Sequence, residues 1–278
     1  MARDASSRSA LDLASLFGVV LGCTAIVGGL ALEGGGLADI TQVTGGIIVL
    51  GGTLGAVMLT TPASTLLRAA ARLKLVFLEP RHSPEDVIDE VIQLGNRARR
   101  NGIVSLETGI ENISDPFFRK ALSLGVDGTD LENLRKTMEL ELDLEAHRGG
   151  AEAKVYEAAG GYAPTIGIIG AVLGLIQVMK NLQDIEAVGH GIAVAFVATV
   201  YGVASANLFF LPAAAKIRSR VEASIQLREL MLEGVCSIVQ GLHPKVIERK
   251  LEAYVVDRGH VRARPSRGRG QAEGQAPA

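Results

Sequence analysis

The chain has 278 residues, with 28 Lys+Arg against 30 Asp+Glu for a formal net charge of −2; 48% are hydrophobic, 4% aromatic, and none is Trp. That apolar share excludes a disordered chain, and two widely separated cysteines, Cys23 and Cys236, exclude a disulfide scaffold. The near-neutral balance identifies no charged partner, and no nucleic-acid partner is expected.

The charges are unevenly spread. They are absent from Leu13–Leu32, Ile40–Leu67, Ala158–Met179 and Gly191–Ala215. Each run meets or exceeds the ~20 residues that a helix needs to cross a bilayer core. Backbone groups in lipid must pair within their own segment, so runs of this length are predicted to be helices. The first run follows Arg3 and Arg8 but is too long for a signal peptide and ends Leu32-Glu33-Gly34 without a small-x-small site. It reads as an uncleaved anchor. Pro62 and Pro212 stand near one end of the second and fourth runs, where a membrane helix can bend or leave the lipid.

Lys and Arg set the expected orientation. Two precede the first span and none lies in Glu33–Asp39; thirteen fall in Ala63–Val155, one (Lys180) after the third span, and twelve from Ala213 onward. Both termini and the long middle segment are therefore expected in the cytoplasm of a bacterial cell whose inner membrane the chain crosses four times. The expected fold class is all-α: a multi-pass membrane protein with an all-α cytoplasmic domain between spans 2 and 3. The expected organisation is residues 1–62 (N-terminal segment and spans 1 and 2), 63–155 (cytoplasmic helical domain), 156–212 (spans 3 and 4), 213–258 (cytoplasmic amphipathic helices) and 259–278 (a disordered, Arg-rich tail).

No ionisable residue lies inside any span. Ion carriers place such a group at membrane depth, so if the chain conducts ions, the titrating group belongs to another polypeptide. Glycines crowd the spans, among them Gly45, Gly46, Gly51, Gly52 and Gly55 in the second and Gly167, Gly170 and Gly174 in the third. Small residues at three- and four-residue spacing let helices approach closely, either within the chain or between subunits. Pro164 leaves the Gly160 carbonyl without its helical partner, and Pro212 does the same to Leu208. Thr165 and Thr199 are hydroxyls in oily helices. Each either bonds back to its own helix or faces a narrow pathway.

Outside the spans, Ser83-Pro84-Glu85-Asp86 predicts a helix start, with Val87, Val91 and Leu94 at helical spacing. Asn101-Gly102 breaks that helix and the chain resumes at Ile103. Leu131–Glu145 predicts another helix. The fourth span is expected to continue as an amphipathic helix through Ile217, Val221, Ile225, Met231 and Val235. The histidines (His82, His147, His190, His243, His260) have no metal-ligand spacing, and Gly34-Gly35-Gly36 lacks the Lys and Ser/Thr of a phosphate loop. No catalytic residue, metal or cofactor is expected, and the chain is not read as an enzyme.

The layout and several strings resemble the MotA/TolQ/ExbB family, and within it the flagellar stator subunits. Gly160–Leu182 (GGYAPTIGIIGAVLGLIQVMKNL) is similar to the family's third span and Ala193–Ile217 (AVAFVATVYGVASANLFFLPAAAKI) to its fourth; Asn101–Glu107 and Asp115–Asp130 are similar to its cytoplasmic domain. The resemblance implies a homopentamer around a dimer of a peptidoglycan-anchored MotB partner that supplies a membrane aspartate. H⁺ or Na⁺ would then be the transported ion, and the pentamer would push on the rotor protein FliG. It implies Pro164 and Pro212 as the coupling prolines, Pro164, Thr165 and Thr199 on the ion path, and Arg99 and Glu107 as the rotor-contacting pair, with Arg97 and Arg100 in the same cluster. The alternative within the family is a motor subunit of a non-flagellar system, an envelope energiser of the TolQ/ExbB type or a defence complex. The envelope energisers have three spans rather than four.

Overall fold

A computed structural model describes residues 10–79 and 83–257. Arg3, Arg8 and the tail 259–278 lie outside the described residues. The described chain is helical apart from one antiparallel pairing of two dipeptides, Ala10–Leu11 with Leu78–Glu79. It divides into two compact units, Met1–Arg81 with Glu141–Ile225, and His82–Leu140 with Gln226–Ala278.

The first unit holds four helices long and apolar enough to cross a membrane. Helix α1 is Leu13–Leu32, the predicted run residue for residue. Helix α2 runs Val43–Thr60 and contains a π-helical turn at Ile47–Gly51. It is shorter than the charge-free run Ile40–Leu67. Thr61 and Pro62 are extended, and Pro62 instead starts a separate helix, α3 (Ala63–Arg72), followed by the short α4 (Lys74–Phe77). The span ends here because the residue before the proline, Thr61, is extended rather than helical.

Helices α8 (Leu131–Lys180) and α9 (Ile185–Val239) are far longer than a membrane is thick. The helix predicted over Leu131–Glu145 and the third span are one 50-residue element, because no glycine-capped break or turn separates them. The fourth span likewise continues unbroken through Ile217, Val221, Met231 and Val235, all buried.

Between α8 and α9 the two backbones nearly touch. A Cβ placed on Gly174 would lie 2.7 Å from the Gly191 carbonyl oxygen, one on Gly167 2.9 Å from the Ala198 oxygen, and one on Gly202 2.5 Å from the Ala163 oxygen. Gly170 faces Ala198 and Ile48, and Gly45 of α2 packs on Ala198. The outer face of the unit is apolar and bare: Phe17, Leu54, Leu59, Ile168, Val172 and Phe196 are all exposed, as lipid-facing residues are.

Where the charge-free runs end, carboxylates tie the helices together. Asp12 caps α1, accepting the Ser15 amide on Oδ1 at 3.1 Å, while its Oδ2 accepts from Lys216 Nζ at 2.5 Å and Arg220 Nη2 at 2.7 Å. Those contacts, led by the Lys216 hydrogen bond, hold the Asp12 carboxyl far below the usual carboxylate range. Glu152, its side chain 3% exposed, meets Arg68 at 3.3 Å and Arg72 at 2.8 Å. One turn on, the buried Tyr156 hydroxyl donates to the Ala69 carbonyl at 2.9 Å.

The second unit contains α5 (Pro84–Asn101), α6 (Glu107–Ile110), α7 (Pro116–Val126), the first turns of α8, the last turns of α9, and α10 (Pro244–Asp257). Ser83 caps α5 with a reciprocal bond to Asp86, as the Ser-Pro-Glu-Asp string predicts. The core is Val87, Val91, Phe118, Leu122, Leu134, Met138, Met231 and Ile247. Gly234 abuts Val91, and Gly125 abuts Val239 and Leu134. Glu233 receives Lys250 and Arg135. Burial opposes its charge, but the two hydrogen bonds win and lower its pKa.

Two stability predictions follow from this packing. Gly202→Ala and Gly174→Ala press a methyl into backbone and should each destabilise the protein by about 1–3 kcal/mol, the range for overpacking. Gly28→Ala, whose Cβ meets nothing within 4 Å, should be neutral or gain up to ~1 kcal/mol of helix propensity. Unfolding in detergent micelles reads both. The depressed Asp12 carboxyl stabilises the folded state fully above the ordinary carboxylate range, and that contribution fades as pH falls below ~4. Asp12→Asn should therefore lower the melting temperature at pH 7, and the gap to wild type should narrow in scans at pH 3–4.

Candidate functional site

The sequence-predicted residues fall in two places, one in each unit. In the membrane unit, Pro164 lies inside α8, which continues through it as helix. Its ring nitrogen donates nothing, so the Gly160 carbonyl is free of its usual partner. The α8 backbone from Gly160 to Gly167 is pressed against α9: a Cβ on Gly160 would meet Leu211 at 2.6 Å, and one on Gly202 would meet the Pro164 Cα at 3.2 Å.

This stretch of α9 is also irregular. Ala206–Phe210 forms a π-helical turn, closed by the Leu211 amide bonding the Ala206 carbonyl, and Pro212 follows at once. The widened turn is the backbone's answer to a proline that cannot donate to Leu208. The structure therefore brings the weakened turn of α8 against the weakened turn of α9, although the two proline rings are separate. Pro164 is half-buried on the seam, and Pro212 is exposed on a groove beside α1.

Both threonine hydroxyls bond back to their own helices. Thr165 Oγ1 donates to the Tyr162 carbonyl at 2.8 Å, and Thr199 Oγ1 to that of Ala195 at 3.1 Å. Thr165 is exposed; Thr199 is half-buried and lines an open groove with Ile26, Val203 and Leu208. No hydrogen bond joins the two hydroxyls.

Arg99 and Glu107 flank a sharp turn in the second unit. Gly102 ends α5 at φ +80°, a conformation open to glycine and strained for other residues, and a 3₁₀ turn over Ile103–Leu106 leads to Glu107. Both side chains are exposed and neither makes an ion pair among the described residues. The neighbouring arginines differ. Both are exposed, but Arg97 Nη2 donates to Thr108 Oγ1 at 2.6 Å, bracing the turn.

Three residues escaped the sequence reading. Tyr201 is a strap: its hydroxyl donates to the Ile40 carbonyl at 2.5 Å and accepts from the Gln42 amide at 3.2 Å, while its ring lies on Gly46. A lone tyrosine in an apolar run carries no signal of this. Asp12 and Glu152 were simply two acids among thirty. Asp12 alone left a trace, as the last charge before the first span and opposite Lys216, the first after the fourth. Among the described residues no group of His, Cys, Asp or Glu could hold a metal.

These features define a multi-pass membrane protein whose apolar helices pack through glycine and whose second unit carries an exposed charged turn. Residues 109–230 match the model of the MotA/TolQ/ExbB proton channel family, and residues 16–102 that of the motility protein A N-terminal region. The chain belongs to the MotA/TolQ/ExbB proton channel family, in its motility protein A branch. It is 34% identical to motility protein A of Bacillus subtilis over 246 residues, covering 88% of this chain and 91% of that protein. Its fold is similar to C. jejuni MotAB, at a TM-score of 0.84 with 29% identity, over 88% of this chain and 96% of that one. It is also similar to the flagellar MotAB stator complex from Bacillus subtilis, at 0.82 with 34% identity, over 89% and 98%.

Proposed function

We propose that this protein is the stator subunit of a bacterial flagellar motor and forms, with a MotB-type partner, an ion channel that couples cation influx to torque. The observation that carries the reading is the similarity over nearly the full length, in sequence and fold, to motility protein A and to a flagellar stator complex. The charge-free spans agree with it, since the ion's carboxylate must then come from the partner. Five copies around a partner dimer, both termini in the cytoplasm, and contact with the rotor protein FliG complete the proposal.

The mechanism follows from the seam. Protonation of the partner's aspartate beside Pro164 neutralises a charge in a low-dielectric setting, and the packing best for the charged form is no longer best. Gly167, Gly170 and Gly202 have no side chains to interlock, so α8 and α9 can shift along each other. The π-helical turn and Pro212 supply the compliance. Thr165 and Thr199 exchange their bonds to their own helices for bonds to the passing ion or its water. One charge crossing 100 mV releases about 2.3 kcal/mol, enough for a small step and no more. Torque accumulates over many ions. Arg99 and Glu107, without an ion pair among the described residues, present opposite charges to the rotor, where such charges set register and encounter rate.

Charge reversal at both positions, Arg99→Glu with Glu107→Lys, should cut swimming speed severely while membrane assembly persists. Undiminished speed would remove the pair from the rotor contact. Pro164→Leu should abolish motility with normal abundance, because it restores the missing backbone donor. If a deletion strain complemented with this variant swims normally, the role of Pro164 in coupling is wrong. Swimming in sodium-free medium distinguishes H⁺ from Na⁺.

A further inference from the structure

Three helices of the second unit stop at the same end of it. Val91 of α5 abuts Gly234 of α9, and a Cβ on Gly95 would lie 3.7 Å from Ile238 Cγ1, so α5 runs alongside α9 in the same direction. Asp115 meets Arg228 at 3.8 Å and a Cβ on Gly125 would lie 2.8 Å from Val239 Cγ2, so α7 does the same. About one turn past these contacts each chain reverses: α5 at Gly102, α7 at Gly128 (φ +77°), and α9 at Gly241 (φ +70°). Helix α10 starts there too, because the Cβ position of Gly95 is 4.0 Å from Pro244 Cγ.

The charges on this end are sorted. Arg99, one turn beyond Gly95 on the same face of α5, stands on the α10 side with Lys245. His243 Nδ1 accepts the Lys245 amide at 3.2 Å, which leaves Nε2–H as its donor. The acids are elsewhere. Glu107 adjoins Thr108, which Arg97 reaches from a direction roughly 200° around α5 from Gly95, and Asp127 ends α7. Arg99, His243, Lys245, Glu107 and Asp127 are all exposed, and none makes an ion pair among the described residues. Glu248, the acid nearest to Lys245 along α10, is half-buried and not paired with it.

Two of these charges oppose the helices that hold them. Helix N-termini favour acids and C-termini favour bases. Lys245 nevertheless lies in the first turn of α10, which has no acid, and Asp127 is the C-cap of α7, whose last turn has no base. The α10 cap is His243, where Ser, Thr, Asp or Asn would hold the helix better. Local rules broken at three positions on one face point to a demand from outside the chain.

We propose that the rotor contact is this whole two-signed end, not the Arg99–Glu107 pair alone. Lys245 and His243 extend the cationic edge at Arg99 and take carboxylates of the rotor, and Asp127 extends the acidic edge at Glu107 and takes a rotor base. This rests on the stator reading and adds a polarity to it. The rotor surface fits in one direction only, because turning it end for end sets like charges against each other.

The test expresses the full-length chain in its host of origin with the chromosomal copy deleted. It reads swimming speed, membrane abundance and the melting temperature of the purified protein. Lys245→Glu, His243→Asp and Asp127→Lys each supply what the local helix end prefers, so melting temperature should hold or rise. Speed should still fall by about half or more in each, since like charges then face the rotor. Lys245→Arg should swim like wild type. Rotor suppressors of Lys245→Glu should exchange an acid for a base, and those of Asp127→Lys a base for an acid at a different rotor position. Wild-type speed in either Lys245→Glu or Asp127→Lys overturns the proposal, and so does a speed loss that tracks lower abundance or melting temperature. A wild-type chain that fails to restore swimming overturns the stator reading instead, and this face loses its rotor with it.

Discussion

Helices in lipid gain nothing by hiding apolar side chains against each other, because the lipid is as apolar as they are; close approach of backbones is what makes them associate. The α8–α9 pair depends on that constraint. Gly167 and Gly174 on one helix and Gly191 and Gly202 on the other bring main chain to within contact distance of main chain. Dispersion between well-packed atoms and weak Cα–H contacts then replace the hydrophobic effect. The same smoothness that lets the helices meet also leaves no interlocking side chains to fix their register. A seam made this way is tight and able to slide, and the two irregular turns at Gly160–Pro164 and Ala206–Phe210 sit where sliding would be felt.

Polar groups are handled oppositely in the spans and at their ends. Within the apolar runs the Thr165 and Thr199 hydroxyls are absorbed by their own helices, and Tyr201 serves the backbone where the chain turns back into α2. At the ends, buried carboxylates appear, each held by two cations: Asp12 by Lys216 and Arg220, Glu152 by Arg68 and Arg72. An unpaired buried carboxylate would be strongly destabilising, and doubling the countercharge offsets its desolvation. The bundle is therefore smooth along its closely packed seam and pinned by ion pairs at its charged edge.

Much of this was legible in the sequence, for physical reasons that differ by element. The four spans were evident because lipid tolerates no charge, and α1 was delimited residue for residue by Asp12 and Glu33. The α5 start was legible because Ser83, Pro84 and Asp86 satisfy backbone donors locally. The end of α2 was legible from Pro62 and not from charge, since absence of charge continues past Thr60, where the helix stops. The continuity of α8 was hidden because a polar half and an apolar half look like two elements. Arg99 and Glu107 could be named through family resemblance, but that Arg97 is engaged with Thr108 is a three-dimensional fact. Long-range pairings such as Glu152 with Arg68 and Arg72 join residues some eighty positions apart and leave no local pattern.

The Glu152 pairing also bears on how the protein is made. Arg68 and Arg72 precede Glu152 in the chain, on the segment that leaves α2. Because a chain is made from its N-terminus, both countercharges are present before the acid that needs them is synthesised, and the order of translation matches the order in which the charges must be neutralised.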